Sequence, residues 1–177
     1  MFRALLDLSA AFDTVDHAIL LAFLKDFVGL SGKALDILQS YLSCRTQQVS
    51  IKNILSNVSE LLFGVPQGSV LGPLIFCIYT LPLCTILRHH DIRYYIYADD
   101  TQLYCSFNAS SATESLEKII NGIQDIRSWM IRNKLKINDD KTELLIISSS
   151  ESWHTFNSSL KIGDVTVEPT PSCRKLL

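Results

Sequence analysis

The chain alternates short apolar runs with longer stretches of helical periodicity. Ala4-Leu5-Leu6-Asp7-Leu8 reads as a first strand and Ser9-Ala10-Ala11-Phe12 as a turn. Val15, Ile19, Leu20, Phe23, Leu24 and Phe27 recur at helical spacing. Asp13 is expected to cap that helix, with Asp16 in its first turn and Gly29 at its end. Ser31 opens a second helix carrying Leu35, Leu38 and Leu42. Gln47 to Ile51 and Leu61 to Val65 suggest a hairpin around the polar stretch Ser56 to Ser59. Val70 to Leu87 is free of charge but broken by Gly72, Pro73 and Pro82, which favours a buried helix from near Pro73 over a membrane span. Leu116, Ile119, Ile120, Ile123, Ile126, Trp129 and Met130 mark the buried stripe of a long helix over about Ala112 to Asn133. A charged connector, Lys134 to Lys141, leads to a strand at Leu144 to Ile147. A polar loop from Ser148 to Ser159 precedes a closing hairpin, 160–167, turning at Gly163-Asp164. This order predicts an α+β fold, with helices on one face of an antiparallel sheet.

The chemistry concentrates around Tyr97-Ala98-Asp99-Asp100. Ile92, Tyr94 and Ile96 lead in and Leu103, Tyr104, Cys105 and Phe107 lead out, both runs suited to strands. Asp99 and Asp100 lie between them at the turn. Alone, the pair reads as an Asx-type turn, in which carboxylates bond the local backbone. Asp7 changes the picture, because a carboxylate ending an apolar strand is costly unless it is paired or binds a metal. Should the strands ending at Asp7 and at Asp99-Asp100 lie side by side, their carboxylates converge on one edge. Such an edge suits Mg²⁺, which takes few protein carboxylates and completes its shell with water and phosphate oxygens.

Composition bounds the reading. With 177 residues, 47% of them apolar, the chain can bury a core and is not disordered. A net charge of −2 offers no basic excess for gripping nucleic acid. Five cysteines without CxxC spacing suggest inert, buried thiols in a reduced compartment, the nucleus or cytoplasm. His89 and His90 are adjacent and His17 and His154 stand apart, so the histidines are expected to be structural or exposed, with no zinc spacing. No arrangement supports a serine or cysteine nucleophile.

Four stretches taken in order resemble the palm motifs of reverse transcriptases, and among these the non-LTR (LINE-type) retrotransposon enzymes. They are Asp7-Leu8-Ser9-Ala10-Ala11-Phe12-Asp13, then 64–73 (GVPQGSVLGP), then Tyr97-Ala98-Asp99-Asp100, then Asn138-Asp139-Asp140-Lys141-Thr142. The resemblance covers roughly Leu5 to Ile147 and implies a palm-type fold and RNA-directed DNA polymerase chemistry. It implies two divalent ions, Mg²⁺ with Mn²⁺ as substitute, held by Asp7, Asp99 and Asp100 with help from the Leu8 carbonyl. Phe12 matches the aromatic residue beneath the incoming sugar, although a core role fits its spacing equally. Gln67 and Gly68 would approach nucleotide and template, or simply form a turn before a helix. Lys141 matches a lysine near the triphosphate, though a solvated connector lysine fits too, and Tyr97 would touch the primer end. The implied partners are an RNA template, a DNA primer and deoxynucleoside triphosphates, with no membrane. The resemblance makes residues 1–177 one partial domain, truncated at both ends, with fingers and thumb largely absent and activity alone weak or nil. Two alternatives stay open. A nucleotide cyclase would need a purine-binding signature that Tyr-Ala-Asp-Asp is not. A retrotransposon-derived remnant would fold without activity.

Overall fold

The computed structural model describes residues 1–66, 68–108 and 110–145, with backbone alone for 146, 160–162 and 165–167. Gln67, Ile147, the loop Ser148 to Ser159, the turn Gly163-Asp164 and Cys173 lie outside the described residues. In chain order the elements are β1 (Phe2–Leu6), α1 (His17–Asp26), α2 (Gly32–Leu42), β2 (Thr46–Gln47), β3 (Ser50–Ile51), β4 (Ile54–Leu55) and β5 (Ser59–Glu60). They continue with α3 (Leu71–Thr80), α4 (Pro82–His89), β6 (Arg93–Tyr97), β7 (Asp100–Cys105), α5 (Ala112–Arg132), β8 (Glu143–Ile146), β9 (Leu160–Ile162) and β10 (Val165–Val167). Two compact units organise them, one of Met1–Ser9 with Thr80–Leu177, the other of Ala10–Tyr79.

The first unit is built on a four-stranded antiparallel sheet of order β6-β7-β1-β8. β1 sits between β7 and β8, so its alternation decides both faces. Phe2, Ala4 and Leu6 are buried, as are Thr101, Leu103 and Cys105 on β7. That face is covered by helices, with α5 on β1 and β7 and α4 on β6. α5 has most of the expected stripe: Leu116, Ile119, Ile123, Ile126 and Met130 are buried, while Ile120 and Trp129 are only half-buried. Gly122 lies on that stripe, where a Cβ would run into Ile92 Cδ1. The expected α+β architecture, with an antiparallel sheet and helices on one face, is the one observed.

The second unit departs from expectation in detail. Asp16, not Asp13, caps α1, its Oδ1 accepting from the N–H groups of Ala18 (2.9 Å) and Ile19 (3.0 Å). The reason is local. Ala10 adopts φ 50, and residues 11–13 close a tight 3-10 turn that moves the helix start onward. The expected hairpin of 47–51 with 61–65 does not form, and a shorter one turns earlier in the chain. β3 pairs with β4 and β2 with β5, so the reversal falls at Lys52-Asn53, with φ 47 and 67. Two positive-φ central residues make the type I′ turn that matches strand twist. Residues 61–65 form no strand. α3 starts at Leu71 rather than Pro73, and Ser69 Oγ takes the Gly72 N–H at 3.1 Å. The run expected to be one buried helix is two helices with exposed positions at Leu74 and Leu81. By length and composition alone, Leu71–His89 could cross a membrane, and 39% of it is buried.

The cysteines are less buried than expected. Cys105 is buried, Cys84 half-buried, and Cys44 and Cys77 exposed. His17 Nε2 lies 2.7 Å from the Gly64 carbonyl and His90 Nε2 lies 2.7 Å from Asp125 Oδ2, which are structural roles.

Candidate functional site

Because Phe2, Ala4, Leu6 and Leu8 face the helices, the intervening residues point to the open face of the sheet. Asp7 is one of them. The register Leu5↔Gln102 and Leu6↔Thr101 ends one step short of Asp7 and Asp100. Both carboxylates are therefore delivered to the same face at the same end of neighbouring strands. They line one cleft of about 390 Å³ with Leu5, Gln102, Lys141 and Glu143. Like charges on neighbouring strands repel, which is a stability cost unless a cation offsets it.

Tyr97 pairs with Asp100, leaving Ala98 and Asp99 as a two-residue turn. Ala98 has φ 52, a left-handed value, and Asp99 has no positive φ. Glycine is the usual residue at such a φ, so alanine there stores roughly 1 kcal/mol of strain. Asp99 sits in the turn rather than among the cleft-lining residues. Tyr97 is 69% exposed beside it.

The opposite edge of β1 is clasped by the connector before β8. Ser9 N–H donates to the Lys136 carbonyl at 2.9 Å, Leu8 bridges Ile137, and Asn138 N–H donates to the Asp7 carbonyl at 2.9 Å. These bonds flank Leu8, so its own N–H and carbonyl point the other way, toward the β7 side. Asn138 Nδ2 also donates to Asp7 Oδ2 at 3.3 Å, and Lys141 Nζ pairs with the same oxygen at 3.3 Å. Asp139 is tied to Arg127 of α5 by a two-pronged ion pair. Sequence reasoning missed Asn138 and Arg127. An amide in a polar connector and an arginine on the polar side of a helix look like any solvated residues, and only the fold shows what they reach.

Among the described residues no group of three or more His, Cys, Asp or Glu side chains stands ready to hold a metal. The carboxylates that line one cleft, Asp7 and Asp100, suit Mg²⁺, which takes one or two carboxylates. Phe12 and Gly68 belong to the other unit. Phe12 is half-buried with its ring 4.8 Å from that of Phe76, and its carbonyl accepts the Val65 N–H at 2.8 Å. Gly68 is exposed with φ 77, a conformation that favours glycine.

Residues 3–168 match the family model described as reverse transcriptase (RNA-dependent DNA polymerase). The chain belongs to the reverse transcriptase family. A probable RNA-directed DNA polymerase from transposon BS of Drosophila melanogaster is 34% identical over 143 residues, 77% of this chain. The RNA-directed DNA polymerase from mobile element jockey of the same organism is 31% identical over 144 residues, 78% of this chain. Both come from non-LTR elements, as the motifs led one to expect. The chain spans 15% of the length of each of these relatives. Its fold is also that of solved telomerases. One from Candida albicans, bound to a fragment of telomeric RNA, has TM-score 0.62 and 15% identity over 96% of this chain and 30% of its own. An apo telomerase from Candida tropicalis has TM-score 0.61 and 16% identity over 94% of this chain and 34% of its own. The sheet is thus of the palm type.

Proposed function

We propose that this chain is the palm part of a retrotransposon RNA-directed DNA polymerase, adding deoxynucleotides to a primer 3′-hydroxyl on an RNA template. The observation that carries the reading is the β1–β7 register, which ends at Leu6↔Thr101, one step before Asp7 and Asp100, two residues that line one cleft. Asp7, Asp99, Asp100 and the Leu8 carbonyl would hold two divalent cations, Mg²⁺ or Mn²⁺. Bound there, such ions neutralise charge on the attacking and leaving oxygens of an in-line phosphoryl transfer. The rest of the work in that transfer is positioning, which needs no covalent nucleophile. Tyr97, exposed beside the acids, contacts the primer end. Phe12 lies beneath the sugar of the incoming nucleotide, and Gln67 and Gly68 approach the nucleotide and the template. Lys141, neutralising Asp7 in the cation-free chain, donates a proton to the departing pyrophosphate. The −2 net charge leaves little to grip template and primer, so the chain alone is weak or inactive within one partial polymerase domain. It works in the nucleus or cytoplasm.

A second reading, a folded remnant without activity, is favoured by one observation. Asp7 already has a counter-ion in Lys141, while Asp99 stands outside the cleft. Primer extension with Mg²⁺, an RNA template and deoxynucleotides separates the readings. Trace extension lost on Asp99→Asn supports the polymerase. Robust extension contradicts its weakness alone, and extension indifferent to Asp99→Asn contradicts the site.

A further inference from the structure

The acids of the cleft differ in how they are held. Asp7 has its backbone fixed by the Asn138 N–H and its side chain fixed by the Asn138 amide, both from one residue 131 positions away. Asn138 is itself fixed on its far side. Its carbonyl accepts the Lys141 N–H at 3.2 Å and the Thr142 hydroxyl at 3.0 Å. The next residue, Asp139, is anchored on α5 by Arg127. The chain from α5 to the Asp7 carboxylate is thus continuous: Arg127, Asp139, Asn138, Asp7.

Both side-chain contacts of Asp7, from Asn138 and Lys141, fall on Oδ2. We propose that Asn138 is a positioning residue for the cation site: it fixes the Asp7 carboxylate through Oδ2 and so turns Oδ1 into the cleft. The inference rests on Asp7 as a cation ligand. A carboxylate rotating about its last bond spends only part of its time aimed at an ion, whereas one held by a second donor is already oriented. Outer partners of this kind change metal affinity by roughly 10–100-fold when removed. The lower end applies here, because Lys141 still holds the same oxygen and the 3.3 Å amide bond is long.

The test is Mn²⁺ binding to the full chain, read as loss of the free-ion electron paramagnetic resonance signal, with melting temperature measured beside it. Asn138→Ala is expected to weaken Mn²⁺ binding about ten-fold. Its melting temperature without metal should stay close to wild type, because the backbone bonds of residue 138 survive the substitution. Asn138→Ser, which keeps a short donor, is expected to recover part of the affinity. Equal affinity in Asn138→Ala and wild type overturns the proposal, whatever happens to melting. Weaker binding that Asn138→Ser does not recover, accompanied by a parallel fall in melting temperature, assigns Asn138 a structural role only and also overturns it. Asp7→Asn separates this failure from that of the site itself. Wild-type binding unaffected by Asp7→Asn removes Asp7 from the cation site, and the role of Asn138 falls with it.

Discussion

Gly64 offers the sharpest test of how the Ala10–Tyr79 unit is held together. Its φ is 86, and a Cβ there would stand 3.0 Å from the Asp13 carbonyl oxygen and 3.1 Å from Asp13 Cα. The glycine is pinned on both sides. Its N–H donates to the Val15 carbonyl at 2.7 Å, and its own carbonyl lies 2.7 Å from His17 Nε2. Gly64→Ala therefore meets two costs. Forcing an L residue to positive φ costs about 1–2 kcal/mol. Pressing a methyl into backbone that cannot rotate away adds about 1–3 kcal/mol, the range of overpacked sites. The sum is about 2–5 kcal/mol, a large share of the roughly 5–15 kcal/mol that stabilises a domain. Gly29→Ala is the control, because its φ is 77 but nothing lies within 4 Å of the added carbon. It should lose only the conformational part, about 1–2 kcal/mol. Native-state hydrogen exchange at the amides of Leu20 and Leu24 in α1 reads the unit's own opening energy. Equal losses in the two variants would refute the close approach, and a loss under about 0.5 kcal/mol at Gly64 would refute both terms.

Other expectations follow from single groups. Tyr79 is buried, and burial pushes its hydroxyl up to about 12, against an opposing backbone hydrogen bond from Asp16. The folded chain therefore keeps a proton that the unfolded chain releases near pH 10, so stability falls as pH rises from about 10 to 12. The loss is on the order of 2 kcal/mol in urea titrations, and Tyr79→Phe should remove that part of the slope; an unchanged slope contradicts the assignment. Lys141→Gln removes the exposed partner of Asp7, and an exposed ion pair is worth about 0–1 kcal/mol. Its melting temperature should barely move, while Mn²⁺ should bind about two- to five-fold tighter for want of a competing charge. Weaker Mn²⁺ binding in that variant would show that Lys141 helps the ion rather than opposing it.

Much of this architecture was legible in the chain, and the failures have physical causes. The α5 stripe and the 97–100 turn could be read because each is local: a period of helical spacing, and a polar pair between two strand-like runs. The turn at Lys52-Asn53 was not legible, because its type I′ geometry usually announces itself with Asn-Gly and here uses a lysine. The true cap of α1 was hidden by a 3-10 turn that depends on a left-handed Ala10. Apolar character alone did not show that the 71–89 run leaves Leu74 and Leu81 exposed, since periodicity cannot separate apolar residues that face a core from those that do not. Within the site, Asp7 was visible as a charge out of place in an apolar strand. That Asp100 shares its cleft, and that Asn138 holds it from the other side, depends on pairings across about a hundred residues or more, which local pattern does not carry.

The central claim is that strands β1 and β7 bring carboxylates together to hold divalent ions. Thermal melting of the full chain during an Mg²⁺ or Mn²⁺ titration tests it most directly, because an ion that binds only the folded state raises the melting temperature with concentration. A saturable rise is expected in the wild-type chain, lost in Asp7→Asn and in Asp100→Asn. No rise in the wild type, or a rise that survives both substitutions, would contradict that claim.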